Sequence, residues 1–197
     1  MINLIVEKIK GSLASVPIID RNYGLIRTNR VKVKQGDTTV EKIFPVYRNT
    51  PDGCSNAVEV DAVPDSKYKA LSYHELVAPE GTQSMGNGFY EFTMSMRNVW
   101  WINAKLANYD QTTVDQFVLN VIKYFPEKLA NFDDLHAIRI SIQNIDYSAA
   151  VFGQWSYDEA NRQYLTPPFF HFGINYQVVF RVHKDCITAL TVESNLC

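Results

Sequence analysis

From Phe172 to His183 every second residue is large and apolar: Ile174, Tyr176, Val178, Phe180 and Val182. A β-strand turns successive side chains to opposite faces, so this spacing lines one face with five hydrophobic groups. Such a strand needs neighbours on both sides and a layer covering that face. The same texture recurs twice. Between Phe89 and Asn103, Tyr90, Phe92, Met94 and Met96 oppose Glu91, Thr93, Ser95 and Arg97, which predicts a central strand with one buried face. Between Ala137 and Tyr147, Ile138, Ile140 and Ile142 alternate, and Ile145 follows after a break in register.

Two segments switch to the helical period and supply the covering layer. Ile2, Ile5, Val6, Ile9 and Leu13 repeat at three and four residues, with Gly11 weakening the end and Pro17 stopping it. Glu7, Lys8 and Lys10 among these apolar residues predict a retained helix rather than a cleaved signal. The second helix is expected over Thr113 to Phe125. Its stripe is Val114, Phe117, Val118, Val121, Ile122 and Phe125, with Thr112 as cap, Asp115 meeting the helix dipole and Pro126 as terminator.

Between the first helix and the central strand the texture is different. Leu25, Arg27, Asn29, Val31 and Val33 alternate with Ile26, Thr28, Arg30, Lys32 and Lys34. Gln35-Gly36-Asp37 reads as a turn, and Val40 to Tyr47 as the returning strand. Core strands are rarely this polar, so a hairpin over about 21–48 is expected to project or to pair at an edge. The stretch of about 49–88 reads as a loop-rich insertion. It holds a turn at Asn49-Thr50-Pro51-Asp52-Gly53 and a short strand near Ala57 to Val63. A mobile loop is expected from Ala78 to Gly88, containing Pro79, Gly81, Gly86 and Gly88 and fit to order on assembly. Ser156 to Pro168 reads as a polar connection or hairpin.

Helix, strands, helix, strands is an α+β order. It predicts a mainly antiparallel sheet packed by two helices, with a long projecting β-hairpin, in one domain over residues 1–197. A chain of this length can withdraw about 70% of its unfolded surface from water, so it needs no metal or disulfide staple. Cys54, Cys186 and Cys197 form no CxxC, and their odd number fits a reducing compartment. No run approaches the roughly 18 apolar residues of a membrane helix, so no membrane partner is expected.

Charge is unevenly placed. The formal net charge is -2, which disfavours a dedicated nucleic-acid binder. Yet Arg21 to Arg48 carries Arg21, Arg27, Arg30, Lys32, Lys34, Lys42 and Arg48 against Asp37 and Glu41. Asn49 to Glu80 carries Asp52, Glu59, Asp61, Asp65, Glu75 and Glu80 against two lysines. These segments can pair within the fold or between identical subunits, since a head-to-tail ring needs two complementary patches.

No catalytic signature is found: there is no GxxxxGK[ST], GxGxxG, GxSxG or HExxH, and no cofactor or small-molecule ligand is expected. His171 and His183 are twelve residues apart on one strand face, about 40 Å at ~3.3 Å per residue, too far to share a metal. His74 and His136 have acids nearby in sequence, Glu75 and the Asp133-Asp134 pair. Trp100 and Trp101 must face opposite ways, which predicts one in the core and the other near a surface.

Taken together, the opening helix Ile2–Leu13, the polar hairpin Leu25–Tyr47, the mid-chain helix Thr113–Phe125 and the strands Ala137–Tyr147 and Phe172–His183 resemble the tail-terminator and tail-completion ring proteins of tailed bacteriophages. The Asn/Tyr/Ile-rich texture resembles virion proteins of crAss-like phages. The resemblance implies a non-enzymatic virion subunit of the neck (head–tail connector) or tail, made in the host cytoplasm. It implies a homo-oligomeric ring contacting neighbouring neck or tail proteins, with DNA passing through the lumen without specific binding. Expected subunit contacts are Arg27, Arg30, Lys32, Lys34, Asp61, Asp65, Met85 and Trp101. Two other readings stand beside it: a nucleic-acid-binding module using the basic hairpin, and a hydrolase pairing His74 or His136 with an acid.

Overall fold

The computed structural model describes residues 1–49, 58–110, 113–156 and 163–187. Helix α1 runs Ile2–Leu13 and buries Ile5, Val6, Ile9 and Leu13, the stripe its spacing prescribes. Each such side chain contributes about 1.5–3 kcal/mol of burial. A short turn of helix, α2 (Ala104–Ala107), is capped by the Asn103 side chain, which accepts from the Leu106 N–H. Helix α3 (Val114–Tyr124) has Asp115 in its first turn and buries Phe117, Val118 and Val121. The expected Thr112 cap lies outside the described residues, as do Cys54, Cys197 and the turn at 50–53.

Among the described residues, eight strands form two sheets. The larger is ordered β1-β5-β6-β8-β7, made of β1 (Arg21–Leu25), β5 (Ala70–Ser84), β6 (Phe89–Asn103), β8 (Phe169–His183) and β7 (Leu135–Asp146). Its pairings are antiparallel except β1 with β5, which is parallel. A parallel pair needs a long crossover, and residues 26–69 provide it. That crossover holds the second, antiparallel sheet, ordered β2 (Arg27–Gln35), β3 (Thr38–Asn49), β4 (Val58–Asp61). The fold is therefore mixed α+β with one mixed and one antiparallel sheet.

The large sheet is packed on both faces. Its even-numbered side on β6 and β8 carries Met96, Trp100, Ile102, Phe172, Ile174, Tyr176, Val178, Phe180 and Val182, covered by α1 and α3. Trp100 rests edge-on to Phe117, ring centroids 5.6 Å apart. The opposite face carries a second core of Leu71, Tyr73, Val99 and Trp101, covered by Tyr23, Ile26, Ala62, Val151, Phe152 and Trp155.

Three expectations change. The 78–88 segment is strand for most of its length, with β5 running to Ser84 and the turn confined to residues 85–88. Bulges between Leu76 and Ala78 and between Pro79 and Gly81 absorb both breakers. A proline is tolerated there because this stretch pairs with β6 on one side only among the described residues. Second, the segment 21–25 belongs to the large sheet, so the polar hairpin begins at Arg27. Third, Trp101 is fully buried rather than near a surface: it stacks on Phe169 at 5.2 Å and donates its indole N–H to the Tyr164 carbonyl at 2.6 Å. Correspondingly, β6 buries both faces from Val99 to Asn103.

Candidate assembly surfaces

Strands β2 and β3 pair without interruption from Arg27 opposite Val46 to Gln35 opposite Thr38. The two-residue turn between them places Gly36 at φ +60°, a conformation glycine adopts at no steric cost. Residues directly opposite share a face. One face of the hairpin carries Val31, Val33 and Val40; the other carries Arg30, Lys32 and Lys34 with Glu41. Near the base, Ile43 and Tyr47 pack against the second core. Farther out both faces are solvated, and Val31 and Val40 are each 39% exposed.

The base is fixed by a polar node. Tyr47 Oη donates to Glu7 Oε1 at 3.0 Å, and Lys10 Nζ donates to Glu7 Oε2 at 2.8 Å and to Tyr47 Oη at 2.9 Å. A β-carbon on Gly24 would displace the Glu7 carboxylate from its place beside Tyr47, so the glycine leaves room for this node.

The structure separates the expected contact residues into distinct places. Arg27, Arg30, Lys32 and Lys34 are exposed on β2, the outer strand of the small sheet, with Arg30 Nη1 bonded to Glu41 Oε1 at 2.7 Å. Asp61 is exposed on β4, the other outer strand. Asp61 and half-buried Asp65 line one cleft of about 740 Å³ together with Asp20, Arg21, Glu59 and Tyr68. Within it the Arg21 guanidinium lies 4.7 Å above the Tyr68 ring, and Asp65 Oδ1 accepts from the Lys67 N–H at 2.9 Å. Met85 is half-buried at the tip of the β5–β6 hairpin, where its N–H bonds the Phe89 carbonyl at 2.9 Å. Trp101 reaches no surface.

A line of polar residues crosses the large sheet where the second core ends. Glu75, Arg97, Asn175 and Asn144 are successive partners on β5, β6, β8 and β7. Arg97 donates to Glu75 Oε1 at 3.3 Å and to Asn175 Oδ1 at 2.7 Å, and Asn175 donates to Asn144 Oδ1 at 3.0 Å. Gln154 donates to the other Glu75 oxygen. Burial pushes the Glu75 carboxyl up to about 7, against the opposing pull of Arg97. Beyond this row, Glu80 accepts from Ser95 and Gln177, and Glu91 accepts from Arg181 at 2.9 Å. Sequence reading missed this ladder. Its only signal was the polar residue at each alternate position, which a solvated face shows equally.

The histidines are dispersed. His74 is fully buried, and burial lowers its pKa to about 3, leaving it neutral. The Asn98 oxygen accepts from the Trp100 indole, so its amide nitrogen faces His74 Nε2 at 3.3 Å. That nitrogen must accept, which places the ring proton on Nδ1, 2.8 Å from Tyr176 Oη. His136 and His183 both lie edge-on to Phe89, at 5.5 and 5.1 Å. His171 packs on Phe152 at 5.4 Å. Among the described residues no three His, Cys, Asp or Glu side chains converge as metal ligands. No protein-family model, curated protein or solved structure matches this chain, so no structural neighbour supports the tail-terminator resemblance.

Proposed function

We propose that this chain is a structural virion subunit that forms a ring in the neck or tail of a tailed bacteriophage, where it joins or caps the tail tube through protein–protein contacts. The observation that carries this reading is the β2–β3 arm. Its base is built into the second core, while its outer half is solvated on both faces and adds nothing to either core. A hairpin kept for the monomer's own stability would bury one face. An arm of this kind gains its ordered surface from a neighbour.

The placement of charge supports the same reading. Cations lie along one edge strand of the small sheet and carboxylates along the other, so each copy carries both halves of a head-to-tail contact. DNA threads the lumen of such a ring without being read. The test is native mass spectrometry of the whole chain, checked by negative-stain images. A closed oligomer of fixed copy number is the expected result.

A second reading is favoured by one feature: Arg27, Arg30, Lys32 and Lys34 share one strand. A nucleic-acid module using that strand would bind DNA with a steep dependence on salt. A persistent monomer that shifts duplex DNA at low salt would transfer the function to it.

A further inference from the structure

We propose that the outer edge of β2 is a docking edge for an extended acidic segment of a different protein, which adds to the arm as a further strand with its carboxylates beside Arg30, Lys32 and Lys34. The inference goes beyond the ring reading and does not depend on it. The small sheet is ordered β2-β3-β4, so β2 has no strand partner on its outer side among the described residues. An unpaired edge presents a row of N–H and C=O groups that another strand can satisfy. A ribbon of two strands is marginal in water, and the added strand supplies the third that the outer half of the arm lacks.

Register fixes what that strand must carry. Residues directly opposite in a sheet share a face, and Arg30, Lys32 and Lys34 alternate along β2 with Val31 and Val33. The three cations are exposed. Lys32 and Lys34 have no ion-pair partner among the described residues, and Arg30 has only its exposed contact with Glu41. A segment that alternates acidic and apolar residues sets its acids on the cationic face and its apolar groups beside the valines, of which Val31 is 39% exposed. Another copy's β4 does not meet this requirement. Asp61 opposes Val46, which opposes Arg27, and Glu59 opposes Arg48, so both carboxylates lie on the face of Val31 and Val33. A sheet continued around a ring keeps its faces. Two β2 edges brought together would oppose like charges.

The other outer edges are short or blunted. Strands β1 and β4 span only five and four residues. The edge of β7 meets Lys128 at Arg139, donates from Ile140 to the Glu127 carbonyl, and shifts register between Ile142 and Asn144. Beyond Glu75, β5 carries two bulges and Pro79. Bulges and prolines block strand addition. Strand β2 pairs with β3 without a bulge over all nine residues and contains no proline. It is blunted by positive charge alone, and an acidic segment lifts that protection.

The experiment titrates the whole chain against an end-blocked fluorescent peptide, TEVEVEVET, and reads its anisotropy. Three control peptides are used: one with the same residues but its acids clustered, the alternating peptide N-methylated along its backbone, and TKVKVKVKT. The chain is tested as wild type and as K32E/K34E; both lysines are exposed, and folding is checked by thermal unfolding and far-UV circular dichroism. Expected is saturable binding of TEVEVEVET by wild type, weakened about tenfold or more by clustering, by N-methylation and by K32E/K34E. The variant should in turn bind TKVKVKVKT, which wild type rejects. No saturable binding by folded wild type up to about 1 mM peptide overturns the inference. So does equal binding of the N-methylated or clustered peptide, which needs charge but no strand. If duplex DNA displaces the peptide and the N-methylated form binds equally well, β2 is a nucleic-acid contact and the inference fails. Native mass spectrometry of the same samples separates this from the ring. A monomer that binds the peptide keeps the docking edge and removes the ring, whereas a ring that ignores the peptide does the reverse.

Discussion

The two adjacent tryptophans divide the molecule between them. Trp100 belongs to the helix-covered core and Trp101 to the core on the opposite face, and neither has exposed surface. Each replacement by alanine should cost roughly 3–5 kcal/mol, the range for large aromatic truncations in a core. Trp101→Ala also leaves the Tyr164 carbonyl without its donor. Urea unfolding should show a large drop in midpoint for both variants; a Trp101→Ala chain of wild-type stability would contradict the burial described. Glu75 tests electrostatics in the same region. Its folded pKa of about 7 lies above the ordinary 4.5, so the folded chain holds a proton that the unfolded chain has released. The resulting stabilisation is complete below about pH 4.5 and is lost as pH rises through 7, amounting to no more than about 3 kcal/mol. Glu75→Gln retains the side-chain shape without the titration. Thermal melts across this range should show wild type losing stability with rising pH relative to the variant, and parallel profiles would refute the assignment.

At the scale of elements, the β2–β3 arm is separable from the body. Its register shows where to cut: Arg30 opposes Ile43, and Ile43 still packs on the second core. Replacing residues 31–42 by an Asn-Gly turn should change stability by no more than about 1 kcal/mol, since the side chains lost are exposed except for half-buried Val33 and Lys42 and none belongs to either core. Calorimetry should find a nearly unchanged melting temperature, and native mass spectrometry should find monomers. This arm was legible in the sequence because one of its faces is charged and the other mixes its valines with Arg27, Asn29 and Lys42, a pattern that a strand buried on both faces cannot sustain. Strands β6, β7 and β8 and helices α1 and α3 were legible for the complementary reason. Their apolar residues repeat at the period of the element, and even the break before Ile145 corresponds to a register shift between Ile142 and Asn144. What stayed hidden depends on contacts remote in sequence. The parallel partnership of Arg21–Leu25 with β5 leaves no local trace. The cover over Trp101 is assembled from Tyr23, Val151, Phe152 and Trp155, isolated residues with no shared period. Pro79 and Gly81 signalled a loop because one sequence does not reveal that a strand lies at an edge, where bulges are tolerated. Of the expected contact residues, the basic set and the Asp61–Asp65 pair each fall together, whereas Trp101 is lost to the core.

For the whole molecule, the near-zero net charge hides two opposed fields, and salt is the variable that exposes them. Exposed charges separated by more than about 10 Å are largely screened at 0.1 M ionic strength. Assembly driven by β2 cations meeting a neighbour's carboxylates should therefore weaken as sodium chloride is raised, with most of the loss at the low end of the range. Assembly driven chiefly by the exposed valines would not weaken in this way, and an excluded salt such as sulfate would strengthen it. A nucleic-acid contact through β2 gives a third signature, because releasing counterions from DNA makes log K fall by about 0.9 per phosphate neutralised per decade of salt. Sedimentation velocity across a salt series, without DNA and then with duplex DNA, separates the three. The expected outcome is a ring that dissociates progressively with sodium chloride and does not co-sediment with DNA at any salt. A ring indifferent to sodium chloride would move the contact off the charged edges. DNA carried down by the chain at low salt, in proportion to Arg27, Arg30, Lys32 and Lys34, would move the function from assembly to nucleic-acid binding.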